Sequence, residues 1–517
     1  MNSPLNDPAS RGSASDDDHA GTPPDALADG LTNADRDHSG QPLPARVRRA
    51  PFKGDRAVEA GLTWSQQEIW ALIEKAAPHD HVYNVVEEFR VPPGVRPTED
   101  ECLDALSFLL SRHESLRSVF PAKPGGRVVQ RVLTEGELPV EFVDTPTTTG
   151  EEIAALKAYF ATRRFAFADE LPLRLVLLVT DGRVWGGVYV FSHMAVDWYA
   201  LQHLAVEVTE YFRNGRTLPP LPPDAMTSAG LAAWQESPPG IRKRDRTLAH
   251  VASLYRDRPP LALPPAVADL PEESAYRQAS LRSRAAHHAA TRIAERTGQS
   301  VAAVIVGATA LLLRDLTGSN RVDLHLTSSQ RFGRDSRTTI ATLMQETYFS
   351  VDLVGADLLQ AVKRSWLAAI TAFQNSGCDA DSMNRLLADL GGGPDAPLTF
   401  SYCINDRRTL PADTAVRRDV SAADLLPHTA FTWLPVTEEE PFYLIVDDGE
   451  DEGLDGGEGG GAHLEFSLTC DVRHVPEAVM ETFLRDLERS LVALADSDSG
   501  SGIGADAGSD TGSGSDA

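Results

Sequence analysis

Four cysteines in 517 residues are too few and too widely spaced for a disulfide framework. Cys102, Cys378, Cys403 and Cys470 contain no Cys-x-x-Cys pair, so no zinc site and no other metal centre is expected. Such sparse usage fits a reducing, cytoplasmic setting. Basic charge is also scarce: 48 Lys and Arg stand against 75 Asp and Glu, a formal net charge of -27. No basic face interleaved with aromatics occurs, so nucleic acid is not an expected partner. No apolar run approaches the roughly 20 residues that span a bilayer, which leaves no membrane role. Met1 to Arg49 also lacks the apolar stretch of a secretory signal.

The chain does have ample apolar material, 42 % of its residues, for large cores. Its negative charge is uneven. Met1 to Leu43 carries eight Asp and two Arg, Asp447 to Glu458 seven acids and no base, and Asp496 to Asp516 five Asp. About two-thirds of the excess thus lies in segments poor in apolar residues, where charge favours solvation. Residues 1–54 read as a disordered leader and 496–517 as a disordered acidic Ser/Gly tail. Asp447 to Gly461 reads as a hairpin loop of unusual length.

Between these segments, helical and strand periods alternate. Thr63 or Ser65 caps a helix carrying Ile69, Trp70 and Ile73, and Val82 to Val91 reads as a strand. Thr98 and Glu101 form a capping box ahead of a helix with Leu103, Leu106, Leu109 and Leu110 on one face. Arg127 to Leu133 and Val140 to Val143 read as strands, Glu151 to Arg164 as a helix. Proline-rich breaks at Leu218 to Pro223 and Pro259 to Pro271 enclose short bridging helices. A second series follows, with helices over Arg284 to Thr297, Val301 to Leu316, Leu358 to Phe373 and Val479 to Leu494. Its strands are Arg321 to Ser328, Leu398 to Ile404, Phe431 to Leu434, Pro441 to Val446 and Leu464 to Cys470. The pattern predicts an α/β (α+β sandwich) chain. Two related halves, 55–217 and 276–495, are joined by a bridging segment and linker, 218–275, and meet at a cleft.

The stretch Val188-Tyr-Val-Phe-Ser-His-Met-Ala-Val-Asp-Trp198 carries the chemistry. Two apolar runs, Leu173 to Leu178 and Trp185 to Phe191, flank the turn Thr180-Asp-Gly-Arg183 and predict a hairpin. Its second strand runs into His193, with Asp197 four residues on and a helical pattern of Leu201, Leu204, Val208 and Tyr211 behind it. An imidazole at the end of a buried strand suits proton transfer near neutral pH. The same spacing also describes a core histidine followed by a surface acid.

Several further segments resemble the condensation domain of nonribosomal peptide synthetases, within the chloramphenicol-acetyltransferase-like acyltransferases. Leu62-Thr-Trp-Ser-Gln-Gln-Glu-Ile-Trp70 resembles the opening motif, Arg112-His-Glu-Ser-Leu-Arg-Ser-Val-Phe120 the RHExLRxxF motif, and Ser192-His-Met-Ala-Val-Asp-Trp198 the HHxxxDG core. Ala233-Trp-Gln-Glu236, Ser329-Gln-Arg-Phe-Gly-Arg-Asp335 and Tyr402-Cys-Ile-Asn-Asp-Arg407 fall where the family has a bridging segment, a Gly-Arg turn and a late Asn-Asp segment. The likeness covers about Ala60 to Leu494.

The resemblance implies two acyltransferase-like subdomains in a V-shaped pseudo-dimer with a central tunnel. It implies an enzyme that joins a carrier-bound acyl or aminoacyl thioester to an amine or hydroxyl of a small-molecule acceptor, giving an amide or ester in secondary-metabolite assembly. No bound cofactor is implied; the substrate rides on the phosphopantetheine of a partner carrier protein. With no adenylation domain and no Gly-Gly-x-Ser-like attachment site, a free-standing monomer meeting carriers in trans is expected. His193 is implied as catalytic. Asp197 is implied as structural support paired with Arg331, or with Arg334 in an alternative register. Ser192, Trp198 and Asn405 are implied as tunnel or substrate-lining residues. Arg112, His113, Glu114 and Arg117 are implied as stabilising the first half, and Trp64, Gln66 and Trp70 as packing and tunnel wall. Departures also stand out: Ser192 replaces the first His, Trp198 replaces a Gly that lets backbone approach closely, and Gln345 is the nearest stand-in for a missing Asn turn. They keep two alternatives open, a catalytically inactive recruitment module and an acyl-CoA-dependent transferase.

Overall fold

The hairpin expected at Thr180-Asp-Gly-Arg183 forms because Asp181 (φ 51°) and Gly182 (φ 70°) both take the left-handed backbone that a tight two-residue turn requires. The computed structural model describes residues 43, 45–92, 94–145, 149–222, 224–267, 270–271, 275–333, 336–408, 420–436, 439–451 and 461–497. All of them belong to one compact unit, His38–Ala517. The tail from 498 and the leader through 42 lie outside the described residues.

The first half contains β1 (Arg46–Lys53), β2 (Val58–Gly61), α1 (Trp64–Ala76), β3 (Asn84–Arg90), α2 (Glu99–Arg112), β4 (Ser118–Val119), β5 (Val129–Val132), β6 (Glu135–Asp144), α3 (Gly150–Ala161), β7 (Leu173–Thr180), β8 (Arg183–Ser192) and α4 (Trp198–Arg213). Its main sheet has the order β1-β6-β7-β8-β3, and β2-β5-β4 form a smaller one. β7 is apolar at every position from Leu175 to Val179 because it is central and covered on both faces, while Arg174 at its start is buried in a pair with Glu170. Reciprocal capping boxes start α1 at Thr63 and Gln66, and α2 at Thr98 and Glu101.

The bridge is α5 (Ser228–Gln235) and α6 (Pro238–Tyr255). The second half contains β9 (Tyr276–Ser283), α7 (Arg284–Thr297), α8 (Val301–Thr317), β10 (Arg321–Ser328), β11 (Gln345–Asp352), α9 (Leu358–Gln374), α10 (Ala380–Gly391), β12 (Cys403–Asp406), β13 (Ala430–Leu434), β14 (Phe442–Asp451), β15 (Gly461–Asp471) and α11 (Glu477–Asp496). Its sheet has the order β11-β10-β12-β14-β15-β9-β13. Helices α7, α8, α9 and α11 pack on it over one large core. No single described helix is long and apolar enough to cross a membrane.

Three expectations need correction. Residues 46–53, assigned to the leader, form edge strand β1 against β6. Ala50 and Phe52 face the core, and Arg46 and Arg48 lie on the same face nearer the start of the strand, where they pair with Glu99, Asp100 and Asp144; the charges hid a two-residue alternation against exposed Arg49, Pro51 and Lys53. Pro51 is tolerated because β1 is an edge. The acidic loop begins later than expected: Asp447–Asp451 continue β14, paired with Gly461–Glu465. The start of the strand expected from Val82 is a short 3-10 turn, Asp80–Tyr83, and β3 begins at Asn84.

The proline-rich linker is not a free tether. Leu261 N–H donates to Asp323, and the Val267 amide donates to the Arg473 carbonyl at 2.7 Å. A stronger tie between the halves is Thr339–Met344, which precedes β11. Ile340 is buried in the first half's core, and its carbonyl accepts from Ser115 Oγ at 2.6 Å. Thr339 Oγ1 donates to the Met226 carbonyl at 3.2 Å, and Met344 packs with Met194. A peptide of the second half is therefore part of the first half's interior.

Candidate functional site

β8 ends at Ser192, and the chain turns immediately. The Ala195 amide donates to the Ser192 carbonyl at 3.0 Å, and the Met194 amide to Ser192 Oγ at 3.3 Å. Asp197 then caps α4, its Oδ1 accepting from the Ala200 amide at 2.8 Å. The five residues between strand and helix form a tight loop with His193 near its start.

Asp197 also meets Arg331. The guanidinium donates from Nη1 to Oδ2 at 2.7 Å and from Nη2 to Oδ1 at 2.8 Å, and both side chains are buried. Oδ2 accepts two further amides, Leu343 at 2.9 Å and Met344 at 3.1 Å. Nη1 also donates to the Ser329 carbonyl, and Nη2 to the carbonyls of Thr339 and Ala341. Of the two arginines left open by the sequence, Arg331 makes the pair; Arg334 lies outside the described residues. A planar fork on a carboxylate fixes both partners in position, which a lysine cannot do.

His193 is gripped by its backbone and by one ring nitrogen. Thr342 Oγ1 donates to the His193 carbonyl. Nδ1 lies 3.0 Å from the Val196 carbonyl. A carbonyl only accepts, so Nδ1 carries the proton and Nε2 keeps its lone pair. Nε2 has no hydrogen-bond partner among the described residues. Burial holds the imidazolium below its usual range, although Asp197 and the loop carbonyls favour the charged form. The residue as a whole is half-buried.

The other expected residues serve different ends. Ser192 is 2 % exposed and its hydroxyl is committed to the turn, so it lines no open space. Trp198 opens α4 with ordinary helical backbone, and among the described residues no positive φ falls there. Its indole Nε1 donates to the Arg407 carbonyl at 2.8 Å, with the Arg407 guanidinium 5.2 Å from the ring centroid. Trp198 thus joins α4 to the end of β12. Asn405 donates to Tyr443 Oη at 2.9 Å, with no hydrogen bond to the His193 loop among the described residues. Arg112, His113, Glu114 and Arg117 bind Pro219, Glu207, Arg56 and Leu133, all within the first half or the bridge. Trp64 is buried, and its amide donates to Gln235 of α5 at 2.9 Å; Trp70 stacks edge-on with Phe167. Gln345 donates to the Cys378 carbonyl and toward Glu68.

Two residues hold the loop from outside: Gln66, expected as packing and tunnel wall, and Thr342, which the sequence did not single out. Gln66 Nε2 donates to the Met194 carbonyl at 3.0 Å, and Thr342 holds His193 itself. Neither contact is announced locally, since each partner is more than a hundred residues distant. Among the described residues no group of three His, Cys, Asp or Glu is placed to hold a metal. A surface groove of about 490 Å³ lined by Arg56, Glu114, Asp224, Thr227 and Trp234 contains none of the loop residues.

Comparison with known proteins adds a family likeness. The family model described as Condensation domain matches residues 57–385, more than half of the chain. A probable nonribosomal peptide synthetase, CymA, of Salinispora arenicola is 26 % identical over 353 residues, covering 63 % of this chain. The chain spans only 4 % of that synthetase. Among solved structures, one concerned with condensation-domain-mediated chain release from the enacyloxin polyketide synthase aligns with a TM-score of 0.62 at 20 % identity, covering 88 % of this chain and 85 % of that one. The complex of the X-domain and OxyB from teicoplanin biosynthesis aligns with a TM-score of 0.59 at 20 % identity, covering 86 % and 94 %. At such identities the structures speak for the fold alone.

Proposed function

The chain belongs to the condensation-domain family, and we propose that it joins a carrier-borne acyl or aminoacyl thioester to an amine or hydroxyl acceptor. The observation that carries this reading is the state of His193: its Nδ1 is spent on Val196, and its Nε2 lone pair is left unpartnered among the described residues. An acceptor N–H or O–H can donate to that lone pair while its heavy atom attacks the thioester carbonyl carbon. A C–N or C–O bond forms and the C–S bond breaks. The proton taken by Nε2 returns to the departing thiolate, so the imidazole ends neutral. Asp197 and Arg331 touch none of the reacting atoms in this scheme; they position the loop.

A second reading has its own observation. The X-domain complexed with OxyB shares this fold, and Trp198 commits its indole to Arg407 beside the loop. Both fit a module that recruits a partner without performing chemistry. A loaded carrier and acceptors followed by mass spectrometry separate the readings. Wild type is expected to form product and His193→Ala to lose it by a hundredfold or more. Equal product from the variant would sink the catalytic proposal. Equal turnover with acyl-CoA would show that the donor need not be carrier-borne.

A further inference from the structure

The second half's sheet has two unlike faces. Leu326, Ile404, Leu444 and Phe466, in four successive strands, turn toward α7, α8, α9 and α11 and belong to the large core. The residues between them point the other way, and that face is mostly polar and half-buried. One row of side chains crosses it from edge strand β11 inward. Glu346 of β11 pairs in register with Thr327 of β10, and Asn405 of β12 pairs with Ile445 of β14, which in turn pairs with Ser467 of β15. β10 and β12 run parallel with His325 beside Cys403, so Thr327 and Asn405 are neighbours two residues on. The row therefore crosses five strands, about 19 Å at the usual strand spacing.

Its polar groups have bonding capacity to spare. The Glu346 side chain is 42 % exposed, and His325 Nδ1 lies 2.7 Å from its Oε2. No Lys or Arg pairs with that carboxylate among the described residues. Asn405 commits Nδ2 to Tyr443, while its Oδ1 and the hydroxyls of Thr327 and Ser467 have no partner among the described residues. The row also lies beside the His193 loop. Two residues before Glu346, the Met344 amide donates to Asp197 Oδ2 at 3.1 Å. Two residues after Asn405, the Arg407 carbonyl accepts from Trp198 Nε1 at 2.8 Å. Asp197 and Trp198, adjacent where the loop enters α4, are thus each anchored about 7 Å along a strand from the row.

We propose that this row is a specificity site: it holds a polar substrate chain beside the His193 loop and selects one bearing an ammonium or guanidinium group, which binds Glu346. The chemistry fits each position. Thr327, Asn405 and Ser467 offer hydroxyls and an amide oxygen to a chain of amides or hydroxyls, which a fatty chain could not use. At the β11 end the open carboxylate oxygen accepts a charge-assisted hydrogen bond from a cation that the protein itself does not supply. What happens to the bound substrate rests on the catalytic reading of His193; its binding rests on the row alone.

Amine probes test this on the full chain, at physiological salt to screen the general attraction of an acidic protein for cations. Putrescine, cadaverine, spermidine and agmatine are compared with butylamine, which lacks a second cation, for binding by calorimetry and as acceptors with a loaded carrier. Wild type is expected to prefer at least one of the four over butylamine by about tenfold or more in Kd, and in kcat/KM likewise. Glu346→Gln removes the charge, keeps the shape, and is expected to abolish that preference. Thr327→Lys gives the carboxylate a cation from its neighbour in register and is expected to do the same, even should Glu346→Gln fail to fold. Equal binding of all five probes by wild type overturns the proposal, as does a preference that neither variant reduces. If no amine gives product while the Glu346-dependent preference persists in Kd, the catalytic reading falls and the site stands. If product forms without any such preference, the site falls and the catalytic reading stands.

Discussion

His193 holds one ring nitrogen to its own loop and leaves the other unpartnered among the described residues. That division has a pH signature. Because burial depresses the imidazolium, the base-competent neutral ring persists below the ordinary histidine midpoint of 6.5. The acid limb of kcat/KM is therefore expected to have its midpoint below 6.5, measurable with a donor and acceptor pair that gives product. A midpoint above 6.5 contradicts this account. The same sign governs stability: the unfolded chain takes up the proton first, so this residue's contribution is lost as pH falls through 6.5. At this scale the motif was legible, because His193 and Asp197 are neighbours in sequence and their residue types limit what they can do. Arg331 was legible only through resemblance, its partner lying 134 residues away.

Among the elements, β1 shows best how charge can hide structure. Arg46 and Arg48 satisfy acids on α2 and β6, while Phe52, further along the same face, is 4 % exposed. Phe52→Ala is expected to cost about 3 to 5 kcal/mol, the usual price of emptying a buried aromatic site, as measured by urea unfolding. A residue in a flexible leader would change nothing, so a negligible effect would restore the original reading of 46–53. Hairpins and capped helices were easier to read. Asp181-Gly182 and the Thr98/Glu101 box each encode their geometry within four residues. Trp198 lies between these cases. Its bulk after Asp197 was plain, but its use as a tie to Arg407 required knowing that β12 ends against α4.

Across the whole molecule, Asp197 and Arg331 do more than shape a loop. The pair is buried, crosses from one half to the other, and gathers the backbone from Thr339 to Met344 around itself. Arg331→Ala leaves the carboxylate buried without its counter-charge and is expected to cost about 3 to 5 kcal/mol in urea unfolding. Arg331→Lys is expected to recover only part of this, since an ammonium cannot span both carboxylate oxygens. Full recovery by lysine would mean that charge alone matters and the fork does not. The two-part α/β architecture was legible from alternating periods and proline breaks. The interlock was not, because it depends on a short, irregular peptide with no period.

That peptide bears on any attempt to build hybrids. Ile340 fills a cavity made by residues of the first half, and Ser115, Met226 and His193 supply its hydrogen-bonding partners and those of its neighbours. The natural crossover point for recombination is therefore not the proline-rich bridge. A second half transplanted from a homologue brings its own version of Thr339–Met344, cut to fit a different host. Chimeras that retain the recipient's residues 339–344 respect the lock and key already present; those that swap the C-terminal half entire must re-engineer the keyhole as well.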